Sequence, residues 1–173
     1  MNYLSALISL TLLIITQNVL GQNLTDRSLA QTEYFNITEE LKAFSDFEDV
    51  GSAIIYRDEN RTLSLRHLRK DRLHVILLEK INSGRMPTKQ MLDTLNYVSP
   101  SENIWTTLNR CTDKNNPDRK GIYGFYEPEE GIDYTSKKHF ERIVFAWQIK
   151  LDNARMESIN PKEIKCVNIG YGV

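Results

Sequence analysis

Between Phe140 and Leu151 the chain alternates. Ile143, Phe145, Trp147, Ile149 and Leu151 fall on one side, and Val144, Ala146, Gln148 and Lys150 on the other. A period of two is the signature of a strand with two different faces. Shorter runs of the same kind flank it: Ile122–Tyr126 before, Arg155–Ile159 and Ile164–Ile169 after. The breaks between them carry turn residues, namely Glu127-Pro-Glu-Glu-Gly131, Asp152-Asn153 and Asn160-Pro161. Sequential strands with short connections predict an antiparallel meander.

The first half of the chain reads differently. Asn36-Ile-Thr-Glu39 has the form of a capping box, and Leu41, Phe44 and Phe47 follow near helical spacing, which predicts a helix over 37–47. Leu73, Ile76, Leu77 and Ile81 stand at i, i+3, i+4 and i+8, with Asp71 before them and Gly84 behind. The run His74-Val-Ile-Leu-Leu78 also fits a buried strand, but Glu79, Lys80 and the length of the pattern favour a helix. Met91, Leu92, Leu95 and Val98 predict another helix over 88–97, opened by Pro87. Ser99-Pro-Ser-Glu102 carries the cap, first-position proline and third-position glutamate of a fourth, with Ile104, Trp105 and Leu108 as its apolar side and Cys111 at its end. One β-hairpin interrupts the series, Ser52–Tyr56 and Thr62–Leu65 around a polar turn. The expectation is a single α+β domain over 36–173, in which N-terminal helices with one β-hairpin pack on a C-terminal antiparallel β-meander. Residues 22–35, polar and without period, read as a mobile arm.

The extreme N-terminus changes the picture of where this domain works. Leu4–Ile15 is apolar apart from Ser and Thr, and Val19 and Gly21 stand where a signal peptidase reads small residues. The run is too short for a membrane span. Residues 1–21 are therefore read as a secretory signal peptide cut before Gln22, although Met1-Asn2-Tyr3 lacks a basic residue. A secreted protein is expected, or a periplasmic one in a bacterium, with no membrane association after cleavage. Lys plus Arg number 22 and Asp plus Glu 23, so the chain offers no electrostatic reason to bind nucleic acid or an anionic membrane.

Two cysteines in an exported chain most simply form one bridge, Cys111 to Cys166. Asn23, Asn36 and Asn60 each open an N-x-Thr sequon and are candidate glycan acceptors in a eukaryotic pathway. Chance placement of the asparagines, serines and threonines gives about two such triplets, so the sequons do not identify the source. A glycan on Asn36 competes with its expected capping role.

Candidate chemistry is sparse. His67, His74 and His139 show no HExxH or HxH spacing, and neither GxSxG nor SxxK occurs, so no metal ligand, cofactor or catalytic nucleophile is assigned. The acidic loops 113–118 and 127–133 have oxygen-rich composition but break the EF-hand pattern. Tyr123, Phe125, Tyr126 and Tyr134 are the candidate binding surface, with Tyr123 and Phe125 on one face and Tyr126 on the other. These readings favour a non-enzymatic exported binding module for a protein, small-molecule or glycan ligand. The alternatives are a small hydrolase using His74 or His139 with an acid of 127–133, and a secreted protease inhibitor. A helix laid on a meander is similar to cystatin-like architecture, without any cystatin loop motif in this chain.

Overall fold

The structure, a computed structural model, describes residues 32–102 and 104–168. The expected signal peptide, the sequon at Asn23 and the tail after Asn168 lie outside them. The expected α+β arrangement is overturned. The chain folds as two antiparallel sheets facing one another; among the described residues there is a single α-helix, α1 (Ile37–Glu40), with short 3-10 turns besides. The first sheet contains β1 (Glu33–Tyr34), β2 (Glu48–Arg57), β3 (Thr62–Lys70), β4 (Leu73–Asn82) and β5 (Thr88–Val98), in the order β1-β5-β4-β3-β2. The second contains β6 (Trp105–Asp113), β7 (Ile122–Tyr126), β8 (His139–Phe140), β9 (Ile143–Lys150), β10 (Arg155–Ile159) and β11 (Ile164–Val167), in the order β10-β9-β7-β6-β11-β8.

The three predicted helices beyond residue 70 are strands, and each misreading has a physical cause. In β4, Val75, Ile76, Leu77 and Leu78 are all fully buried. Ile76 and Leu78 face the second sheet, while Val75 and Leu77 face the N-terminal segment that covers the outer side. A strand buried on both faces loses its alternation, and a continuous apolar run satisfies helical spacing as well. In β5 the register slips between Leu78 and Glu79 of its partner, leaving Leu92 unpaired between Met91 and Asp93. The extra residue flips the phase, so Met91 joins the outer cluster while Leu92 and Leu95 join the inner one. The cap signal at Ser99-Pro-Ser-Glu102 closes a turn instead: Ser99 Oγ accepts from Ser101 N at 3.0 Å, and β6 comes next.

The expected helix over 37–47 shrinks to α1 and a 3-10 turn at Lys42–Phe44. Asn36 makes no side-chain cap; Glu40 accepts from the backbone N–H groups of Phe35 and Asn36 at 2.9 and 2.7 Å, and Thr38 donates to Asn36 Oδ1. The competition between capping and glycosylation at Asn36 therefore disappears. The arm expected over 22–35 ends in structure, since Glu33 and Tyr34 pair with Gln90 and Lys89 of β5.

The hairpin read around residue 58 is β2–β3, longer than expected and one edge of a five-stranded sheet. In the C-terminal half β7, β9 and β10 are neighbours as a meander requires, but β11 crosses to the far side and inserts between β6 and β8. Cys166 stands directly across from Cys111, and the two form the disulfide.

The inner layer joins Leu63, Leu65, Ile76 and Leu78 of the first sheet to Phe125, Trp147, Ile149 and Met156 of the second. On the outer side of the first sheet, Tyr34, Ile37 and Phe44 cover Leu68, Val75, Leu77 and Met91. That cover seals a charge. The fully buried Glu79 carboxylate accepts from Tyr34 Oη at 2.6 Å, Arg66 Nε at 2.8 Å and Ser64 Oγ at 3.0 Å, and Arg66 also donates to Asp49. Burial, and then the Glu79 charge, push the Tyr34 phenol well above its ordinary range, so it remains a donor.

Native protein should give no reaction with a thiol label, and reduction should destabilise it by roughly 4 kcal/mol in the chain-entropy treatment of a 55-residue separation, read as a fall in urea midpoint. Arg66→Met should cost about 3–5 kcal/mol by stranding the buried Glu79 charge, whereas Arg66→Met with Glu79→Leu should cost clearly less. Equal losses in the single and double variants would show that the charge is not what the network solves.

Candidate functional site

The four aromatic residues singled out from the sequence do not form one exposed platform. β7 sends Tyr123 and Phe125 inward, where Phe125 is fully buried against Trp147 at 5.3 Å between ring centroids. Tyr126 lies on the opposite face of the second sheet and stacks on Phe140 at 3.8 Å with planes 11° apart. Tyr134 leans on both, 6.1 Å from Tyr126 and 5.6 Å from Phe140. Tyr126 and Tyr134 thus share one site, and Tyr123 and Phe125 lie elsewhere.

These rings floor an open cleft of about 640 Å³ between the loop after β7 and the segment carrying β8. A further ring adjoins it. Trp105, opposite Tyr126 in the β6–β7 pair, meets it edge-to-face at 5.9 Å and leaves 59% of its surface exposed. Sequence reasoning assigned Trp105 to the apolar side of a helix. As the first residue of a strand beside Tyr126 it instead presents an indole to solvent. The only sequence signal was the spacing of Trp105 from a strand partner, which requires knowing that 105–113 is a strand.

The rim is charged with both signs. Arg142 Nη2 donates to Glu127 Oε2 at 2.9 Å, while Lys137, Lys138, His139, Glu129 and Glu141 line the opening. Burial, with Tyr134 second, pushes the Tyr126 phenol up to about 12, so it stays protonated and able to donate at any physiological pH. The Tyr134 oxygen accepts from Glu129 N, tying the loop to the floor. Asp133 takes the side-chain hydroxyl and backbone N–H of Thr135 at 2.7 and 2.9 Å; these two bonds hold its carboxyl below the usual range and cap the turn Tyr134–Ser136.

The far wall is anchored from below. Asn168 Nδ2 donates to the carbonyls of Tyr134 and Lys137, and β8 pairs with β11 so that Phe140 lies opposite Cys166. Tyr126 and Phe140 pack in one cluster with Cys111 and Cys166. The disulfide thus underlies the cleft floor.

Of the residues weighed for a hydrolase, His139 meets Glu127 and Glu129 at the rim, while His74 lies apart. His139 reaches the rim, but among the described residues no carboxylate bonds to its ring, and Glu127 is occupied by Arg142. His74 lies in the inner layer, bonded to His67 at 2.9 Å. The loop 113–118 is likewise committed: Asp113 accepts from the N–H groups of Asn115 and Asn116 and from Arg119 at 2.9, 3.1 and 3.1 Å, which keeps its carboxyl below the ordinary range. Among the described residues no group of three or more His, Cys, Asp or Glu side chains is placed to hold a metal ion, and no helix is long and apolar enough to cross a membrane.

No family model, no curated protein and no solved structure matches this chain. The reading of the site therefore rests on its own geometry.

Proposed function

We propose that the chain is an exported, non-catalytic binding domain whose contact surface is the cleft between Glu127 and Arg142, with a glycan as the ligand class that fits it best. The observation that carries this is Trp105, an indole held in the open beside a floor of Tyr126, Tyr134 and Phe140. Burying an exposed aromatic face yields several tens of Å² of apolar area without ordering a flexible side chain. A sugar ring offers a flat C–H face for such a platform and hydroxyls at its edge. The rim supplies both carboxylate acceptors, Glu129 and Glu141, and ammonium donors, Lys137 and Lys138, at that edge.

Export is supported by the apolar leader at 4–15 and by a disulfide between strands brought together only in the folded chain. Asn36 and Asn60 are exposed, consistent with their use as glycan acceptors. The protease-inhibitor alternative rested on a helix over a meander and loses its basis with that fold.

Binding should be measured on glycan and peptide arrays, then by calorimetry. Trp105→Ala should weaken glycan binding at least tenfold and Tyr134→Ala by a similar factor, while leaving the melting temperature within a few degrees. Lys120→Ala, on a different face, should change nothing. Unaltered affinity in Trp105→Ala, or selection of peptides alone, would remove this reading. In secretory-cell expression, enzymatic deglycosylation should increase gel mobility, and Asn60→Gln should remove one step of that shift.

A further inference from the structure

The inner layer contains a feature that packing alone does not require. His67 of β3 and His74 of β4 point to the same side, toward the second sheet, and occupy diagonal positions across the β3–β4 pair. His67 Nε2 and His74 Nδ1 are 2.9 Å apart, and the rings stack at 5.1 Å. Both are almost completely buried. Phe125 of β7 presses on them from the second sheet, its centroid 5.2 Å from His67 and 5.1 Å from His74. Tyr97 of β5 lies 6.3 Å from His74 and stacks in turn on Phe145 of β9 at 4.5 Å.

A contact between two imidazole nitrogens counts protons. In the neutral pair one nitrogen carries the hydrogen and the other accepts it. A single added proton can go to a distal nitrogen and leave the contact intact. A second must place hydrogen on both facing nitrogens, and the contact becomes repulsive. The charged groups around the pair reinforce this. Arg69, next on the same face of β3, disfavours protonation of both rings, and its own partner is Glu48, on the exposed edge. From β5 the facing group is the neutral Tyr97 phenol, held up by burial and by Glu127. From β2 the residue paired with His67 is Gly51, and from β7 the described facing side chain is Phe125, packed in turn on Phe145 and Trp147 of β9; none of these titrates.

We propose that the His67–His74 pair is an acid-sensitive latch between the two sheets. At neutral pH the pair is uncharged and the inner layer is closed. In mildly acidic surroundings it takes up two protons, the nitrogen contact breaks, and Phe125 and Trp147 are released to solvent, while the outer face of the first sheet stays sealed. The direction comes from linkage. Burial, with His74 and Arg69 adding to it, pushes His67 down to about 3, whereas a solvated histidine titrates near 6.5, so the closed state is favoured above that range and loses ground as pH falls. For His67 alone, passing from pH 7.5 to 5 shifts the closed-to-open ratio about 30-fold.

The test uses Trp147 as reporter. The chain has two tryptophans, so Trp105→Phe leaves Trp147 alone. Between pH 7.5 and 5 its emission should shift reversibly to longer wavelength and near-ultraviolet circular dichroism should fall, with the far-ultraviolet signal kept. Adding His67→Gln and His74→Gln should move the midpoint at least one pH unit lower. The same profile in that variant, or loss of both dichroism signals together, overturns the proposal. If the double variant does not fold, the ring proton resonances of the wild-type histidines decide. At most one of them should leave the unprotonated position before emission changes, and protonation of both near pH 6.5 with Trp147 still buried would overturn the latch.

Discussion

The first sheet of this domain has water on neither side of its middle strands. Its inner face meets the second sheet, and its outer face lies under Tyr34, Ile37 and Phe44. Double burial constrains both faces. It allows Val75, Ile76, Leu77 and Leu78 to be consecutive and apolar, and it requires that any polar group on either face find its partners within the protein. Glu79 meets that requirement on the outer face with three donors from two strands: Tyr34 of β1, Ser64 and Arg66 of β3. Since one of those donors comes from the covering segment, the charge fixes where the cover must sit. A purely apolar outer face would bury as much surface but would not specify the position of Tyr34.

The inner face solves the same problem differently. His67 and His74 satisfy one another, and the bond holds only while the pair is neutral or singly charged. The two faces thus carry polar pairs of different kinds. Arg66 and Glu79 are a charge pair from the start, and the histidines are a neutral pair that acid converts to two like charges.

The second sheet builds the cleft. Its β11 insertion between β6 and β8 places Cys166 across from Cys111 on one side and from Phe140 on the other. The cross-link therefore stiffens the strands from which the floor of the cleft rises. Tyr126 and Phe140, stacked at 3.8 Å, transmit that rigidity to the rim, and Trp105 is held beside them by its pairing with Tyr126. An exposed indole on a braced floor loses little entropy when a ligand covers it.

The cysteine pair, the alternation from Phe145 to Leu151, the hairpin around Asp58 and the facing of Tyr123 with Phe125 were legible in the sequence, because each depends on chemistry or spacing within one segment; Ile143, expected beside Phe145, is turned to the face of Tyr126 by a register shift and Val144 packs inward in its place. The identity of 73–82, 88–98 and 105–113 as strands was not. The first is buried on both faces, the second is shifted in phase by its bulge, and the cap-like residues before the third close a turn. The assembly of Tyr126, Tyr134, Phe140 and Trp105 into a cleft, and of His67 with His74, was decided by tertiary structure alone. Side chains far apart in the chain become neighbours only through strand order and register, and register is set by partners on other segments. One strand read alone shows which of its residues share a face. The partner of that face is determined by the rest of the molecule.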